Sequence, residues 1–135
     1  MKDRDVVTAI ILNKNNDILL QKKSLDYKIV SGGPWCFFGG EIEEGESPEK
    51  AIKREIKEEI GFNIKEFKLF KIINYEHKDK CKGKIYNYIV HFNEDLSNIS
   101  IKEGVGFAFF NYSELDSLNL MDWNLKILKD YFLKQ

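Results

Sequence analysis

Cysteine is scarce in this chain: Cys36 and Cys81 are its two examples. Two thiols without C-x-x-C spacing make neither a disulfide framework nor a zinc or redox motif, and they read as reduced thiols of a cytoplasmic protein. Proline is as scarce, with Pro34 closing a Gly32-Gly33-Pro34 loop signal and Pro48 standing at a helix start. No apolar run approaches the roughly 20 residues that a membrane helix needs. The opening Met1-Lys2-Asp3-Arg4-Asp5 and the short apolar run after it read as the approach to a strand, with no signal peptide and no membrane partner. An excess of one charge is missing as well. The 21 basic and 22 acidic side chains nearly cancel to −1, which excludes a non-specific binder of long nucleic acid. Repeats, linkers and low-complexity tracts are absent.

What the chain does have is length and apolar content for one core. Its 135 residues suit a single domain, 1–135, and 43% hydrophobic with 13% aromatic residues exclude wholesale disorder. Val6–Leu12 and Ile18–Lys22 flank a turn-forming Asn13-Lys14-Asn15-Asn16-Asp17 and predict a hairpin over 6–22. Residues 24–34 read as irregular, and Trp35-Cys36-Phe37-Phe38 as a short apolar run leading into Gly39-Gly40. Ser47 as N-cap, Pro48 at the first position and Gly61 at the far end bound a helix ending at Ile60. Strands follow at 67–76, 84–93 and 107–110, with a polar joint near 78–83. Asp122 is expected to cap a last helix carrying Trp123, Ile127, Leu128 and Tyr131 at helical spacing. The order β-β-α-β-β-β-α predicts a mixed sheet with helices packed on it.

The segment that carries chemistry runs from Gly40 to Phe62. At 100° per residue, Glu55, Glu58 and Glu59 fall within one arc of about 100°. Ile52, Ile56 and Ile60 form an adjoining apolar stripe, and Lys50, Lys53 and Lys57 face water. Carboxylates at i,i+3 and i,i+4 repel one another and raise one another's pKa. A divalent cation removes both penalties, and oxygen-only ligands point to a hard ion such as Mg²⁺. The plain alternative is a solvated acidic face laced with lysines.

The full spacing weighs against that alternative. Gly40, Glu46, Arg54, Glu55, Ile56, Glu58, Glu59, Gly61 and Phe62 fill each specified position of a pattern that resembles the Nudix box, over 40–62. The surrounding strands and closing helix are similar to the order of the Nudix hydrolase family. This resemblance implies an α/β fold, an α-β-α sandwich with a mixed central sheet. It also implies hydrolysis of the pyrophosphate linkage in a nucleoside diphosphate derivative, of nucleoside triphosphate or nucleotide-sugar type, releasing a nucleoside monophosphate. Mg²⁺ is the implied cofactor, with Mn²⁺ as a substitute. By the same resemblance Glu55, Glu58 and Glu59 bind metal, Gly40 adds its backbone carbonyl, and Arg54 orients a glutamate such as Glu46. Glu55 is the first choice for general base and Glu103 the second. The resemblance leaves room for a homodimer and for a catalytically idle nucleotide-binding sensor, although degenerate members of that kind lose box glutamates and this chain keeps them.

Other residues carry weaker expectations. Phe38 stands where many family members have proline before the glycine pair, which bears on loop shape. Trp35, Phe37 and Phe38 offer a base-stacking surface or simply core, and aromatics in a strand are more often core. Lys22 and Lys23 could face a phosphate, though strand-end lysines are usually solvated. His77 and His91 lack motif context. No proline follows the box, which lowers an ADP-ribose reading.

Overall fold

Strand β1 (Val6–Leu12) is apolar except for Thr8 and buried from Val7 to Leu12, as expected of a strand covered on both faces. Val7, Ala9 and Ile11 pack into one layer and Ile10 and Leu12 into the other. The computed structural model describes residues 4–22, 35–76, 82–95, 97, 99 and 106–133. Asn13 turns the chain after β1: its Oδ1 accepts from the backbone N–H groups of Asn15 and Asp17, each at 2.9 Å. Asn16 takes the left-handed conformation that asparagine tolerates (φ 61°). Strand β2 (Ile18–Lys22) then returns antiparallel, with Ile11 opposite Leu19.

Among the described residues seven strands form one sheet. Beyond β1 and β2 these are β3 (Trp35–Cys36), β4 (Phe38–Glu41), β5 (Phe67–Glu76), β6 (Lys82–His91) and β7 (Gly106–Phe110). The main path runs β3-β2-β1-β6-β5, with β4 also on β1 and β7 also on β2. The β1–β6 ladder is parallel and the others are antiparallel, so the sheet is mixed.

Helix α1 (Pro48–Ile60) lies on one face and helix α2 (Asp122–Leu133) on the other. The caps of α1 are those read from the sequence. Ser47 accepts from the Lys50 N–H, and Gly61 ends the helix at φ 70° with its N–H on the Lys57 carbonyl. Ala51, Ile52, Ile56 and Ile60 are buried against β1, β4 and β6. Along β6 the period of two sorts Tyr88 and Val90 to the α1 layer and Ile89 to the α2 layer. The architecture is the α-β-α sandwich.

Three local readings are corrected. The run 35–38 is part of two strands, because Phe37 spends its backbone groups on side chains: its N–H donates to Asn124 Oδ1 and its carbonyl accepts from Gln21 Nε2, both at 3.0 Å. The chain can then leave β2 as β3 and join β1 as β4. Gly39 and Gly40 lie within β4. Gly39 has φ 151°, and a Cβ there would stand 2.1 Å from the Val7 carbonyl oxygen, so only glycine allows this ladder. Strand β6 starts at Lys82 and ends at His91, leaving Phe92 to pack edge-on against Phe62 at 4.9 Å. Asp122 is the first residue of α2 and complements its positive end from within the first turn. Residues 23–34 and 77–81, with Lys23, His77 and Cys81, lie outside the described residues. No helix among the described residues is long and apolar enough to cross a membrane.

Candidate active site

The helical turn brings Arg54 and three glutamates of α1 to the edge where α1 meets β4. Arg54, about a quarter exposed, grips Glu46 with two bonds, Nε to Oε2 at 2.7 Å and Nη2 to Oε1 at 2.9 Å. This is the fork geometry for which guanidinium is suited. Its Nη2 also donates to the Glu41 carbonyl at 3.0 Å, and its Nη1 reaches Glu55 Oε1 at 2.9 Å and Glu58 Oε2 at 3.3 Å. Glu43 adds a fourth carboxylate at 3.1 Å. The bond from Arg54, helped by the Glu43 backbone, holds the Glu46 carboxyl down at about 2. The Glu46 bond in turn pushes the guanidinium further up.

Glu55 and Glu58 therefore meet at one guanidinium nitrogen, with Glu55 mostly covered and Glu58 exposed. Glu59 turns the other way. Its Oε1 accepts from the Gly39 N–H at 2.9 Å and its Oε2 from Gln21 Nε2 at 3.2 Å. The backbone puts the three carboxylates on one flank, but their oxygens go to different donors. Among the described residues no group of three or more His, Cys, Asp or Glu side chains converges on a metal position.

The donor set nevertheless suits a hard divalent cation. Every candidate ligand offers oxygen, as carboxylate or backbone carbonyl. The Glu55 carboxylate is seated against Gly40, where a Cβ would lie 2.5 Å from its Oε1. Any larger residue would push this carboxylate away from the strand. Gly40, Glu55, Glu58 and Glu59 are thus the residues whose oxygens have the chemistry to hold such an ion. Glu103 lies outside the described residues.

A cavity of about 640 Å³ opens on the other face of the sheet, between α2 and strands β5 and β6. Tyr75, Trp123, Ile85 and Val6 give it aromatic and aliphatic walls, and Lys71 and Lys126 stand at it as cations. Lys71 is held by Asp130 at 2.9 Å. Val6 pairs with Glu41 across the β1–β4 ladder, so the cavity reaches the end of the sheet where the acidic cluster lies. The aromatics singled out from the sequence are elsewhere: Phe37 and Phe38 are core, and Trp35 packs edge-on to Phe110 at 4.8 Å. Lys22 lies over the Trp35 ring at 6.0 Å.

Sequence reasoning missed Gln21, Asn124 and the cavity walls. The available signal for Gln21 was a polar side chain inside a strand apolar on both faces. Gln21 is 4% exposed and Asn124 1%.

The box residues thus gather on one helix flank around Arg54, beside the Gly39-Gly40 pair of β4. The NUDIX domain matches residues 2–131, and the chain belongs to this family as a Nudix hydrolase. It is 38% identical over 80 residues to an 8-oxo-dGTP diphosphatase of Escherichia coli K12, a match covering 59% of this chain and 60% of that protein. A Proteus vulgaris 8-oxo-dGTP diphosphatase is 32% identical over 96 residues, covering 71% of this chain and 84% of the relative. In three dimensions the chain is similar to a MutT structure from work on Aliivibrio salmonicida and Vibrio cholerae, with TM-score 0.79 and 26% identity over 99% of this chain and 100% of that one.

Proposed function

We propose that the chain hydrolyses a nucleoside triphosphate at its pyrophosphate linkage, with Mg²⁺ as cofactor and Mn²⁺ as a substitute. The observation that carries this reading is the Arg54-centred group of box glutamates on the flank of α1, and a cavity with aromatic walls, lined in part by Val6 of β1, offers room for a nucleoside. The relatives described above are named as 8-oxo-dGTP diphosphatases, which favours a triphosphate over a nucleotide sugar and makes 8-oxo-dGTP the first substrate to test. Water adds across one P–O–P bridge, and the products are a nucleoside monophosphate and pyrophosphate.

In this reading the cavity takes the nucleoside, its aromatic side chains stacking on the base. The phosphates extend past Val6 towards Gly40. Glu55, Glu58, Glu59 and the Gly40 carbonyl hold the ion. When bound, it supplies positive charge against the polyphosphate and acidifies nearby water. Glu55 accepts the proton of the attacking water, help that commonly contributes ~10²–10⁴-fold. Glu103 is the second candidate for that proton. Arg54 keeps Glu46 and Glu55 in place, so that positioning is complete before substrate arrives.

The test is nucleoside monophosphate release from a panel of 8-oxo-dGTP, the ordinary deoxynucleoside triphosphates and ADP-ribose, with and without Mg²⁺. Turnover of a triphosphate that stops with EDTA and returns with Mg²⁺ is expected. Glu58→Gln should remove nearly all of it without loss of fold, since that side chain is 57% exposed, while Lys57→Ala on the solvent face should change little. Undiminished turnover in EDTA or in Glu58→Gln would refute the metal role.

A further inference from the structure

Gln21 is a buried side chain on β2, well away in sequence from the box, yet it touches Glu59, the one helix-flank glutamate of Glu55, Glu58 and Glu59 that Arg54 does not hold. Its Nε2 donates to the Phe37 carbonyl at 3.0 Å and to Glu59 Oε2 at 3.2 Å. Both partners are acceptors, so the amide has one orientation, with its two N–H bonds shared between them. The Phe37 carbonyl is itself fixed. Its own residue's N–H is bound to Asn124 Oδ1 at 3.0 Å, which ties that point of the chain to α2. Glu59 Oε1 meanwhile accepts from the Gly39 N–H at 2.9 Å. One carboxylate oxygen is thus set by a strand amide and the other by a side chain whose anchor is held from the opposite helix.

We infer that Gln21 is a positioning residue that sets the Glu59 carboxylate for cation binding, through the Phe37 carbonyl as its fixed point. The inference rests on the proposal that Glu59 is a metal ligand. A carboxylate on a stem of two methylenes otherwise samples several rotamers, and ordering it at the moment of binding costs affinity. Gln21 orders it beforehand. Partners of this kind, which bond to a ligand and not to the ion, typically account for 10–100-fold in metal affinity.

The experiment reads Mn²⁺ binding directly, by the electron paramagnetic resonance signal of free Mn²⁺ in the absence of nucleotide. Four proteins are compared: wild type, Gln21→Met, Glu59→Gln and the double variant. Methionine keeps the length and burial of glutamine and removes both donors. Gln21→Met is expected to weaken Mn²⁺ about ten-fold, and to weaken it no further in the Glu59→Gln background, because the residue acts through that carboxylate. Gln21→Asn, which keeps the amide but draws it back by one methylene, gives the same reading if the methionine variant is not recovered folded. Wild-type affinity in Gln21→Met or Gln21→Asn, or a full additional loss on top of Glu59→Gln, would overturn the inference. Equal affinity in wild type and Glu59→Gln is a different failure: it removes Glu59 as a ligand, and the inference falls with the reading beneath it.

Discussion

Arg54 is the residue on which the acidic edge of this protein depends. A single guanidinium engages Glu46 bidentately and touches Glu55, Glu58, Glu43 and the Glu41 carbonyl. Lysine could not replace it, since one ammonium cannot face so many acceptors in a plane. The Glu46 carboxyl, brought down from 4.5 to about 2 by the Arg54 bond and the Glu43 backbone, makes this pair pH-dependent. A lowered carboxyl pKa favours the folded state above the unfolded value and loses that contribution as pH falls through the window from about 4.5 to about 2. Glu46→Gln should therefore unfold at lower urea than wild type at neutral pH. The gap between the two midpoints should close as pH is lowered through that window. A gap that stays constant across it would mean that the charge of Glu46 is not what Arg54 holds.

Helix α1 is the element that joins stability to chemistry. One face buries Ala51, Ile52, Ile56 and Ile60, and the adjoining flank carries Arg54, Glu55, Glu58 and Glu59. The apolar stripe fixes the rotation of the helix, and rotation decides which way the glutamates point. Ile56 is fully buried, so Ile56→Ala should cost ~2–5 kcal/mol by lost transfer energy and a residual cavity. That figure is to be read from denaturant unfolding. Ile56→Val should cost only ~0.5–1.5 kcal/mol, and near-equal losses would mean the stripe is less tightly packed than its burial indicates. The caps act at this scale too, because Ser47 and Gly61 bound the helix to one register.

In the whole molecule the sheet separates two tasks. Its α1 face carries the acidic cluster and its α2 face carries the cavity, and Val6 of the cavity wall is the strand partner of Glu41, whose carbonyl accepts from Arg54. If the cavity holds the nucleoside, Trp123→Ala should raise KM for a nucleoside triphosphate about ten-fold, within the ~1–3 kcal/mol typical of base stacking. The Mg²⁺ concentration for half-maximal rate should stay unchanged, and Trp123→Phe should recover most of the loss. A fall in kcat with no change in KM would place the nucleoside elsewhere. Trp123 also packs edge-on to Phe37 at 6.2 Å, so thermal unfolding of each variant accompanies the kinetics.

What was legible in the sequence is what depends on near neighbours along the chain. The caps at Ser47 and Gly61, the apolar stripe of α1 and the flank shared by Glu55, Glu58 and Glu59 follow from 3.6-residue periodicity. The box spacing identified the family because its residues lie on one strand-turn-helix segment. The strand pair over 6–22 was equally local. Tertiary structure alone decided the rest. Gln21 meets Glu59 across 38 positions and Phe37 across 16, and Asn124 meets Phe37 across 87. Such contacts leave no periodic trace, since each partner reads as an ordinary polar or aromatic residue of its own element. The same holds for the split of the run at Phe37 and for a cavity assembled from β1, β5, β6 and α2. Local pattern determined which side chains share the acidic flank of α1; the packing of distant strands and helices decided how those side chains are aimed.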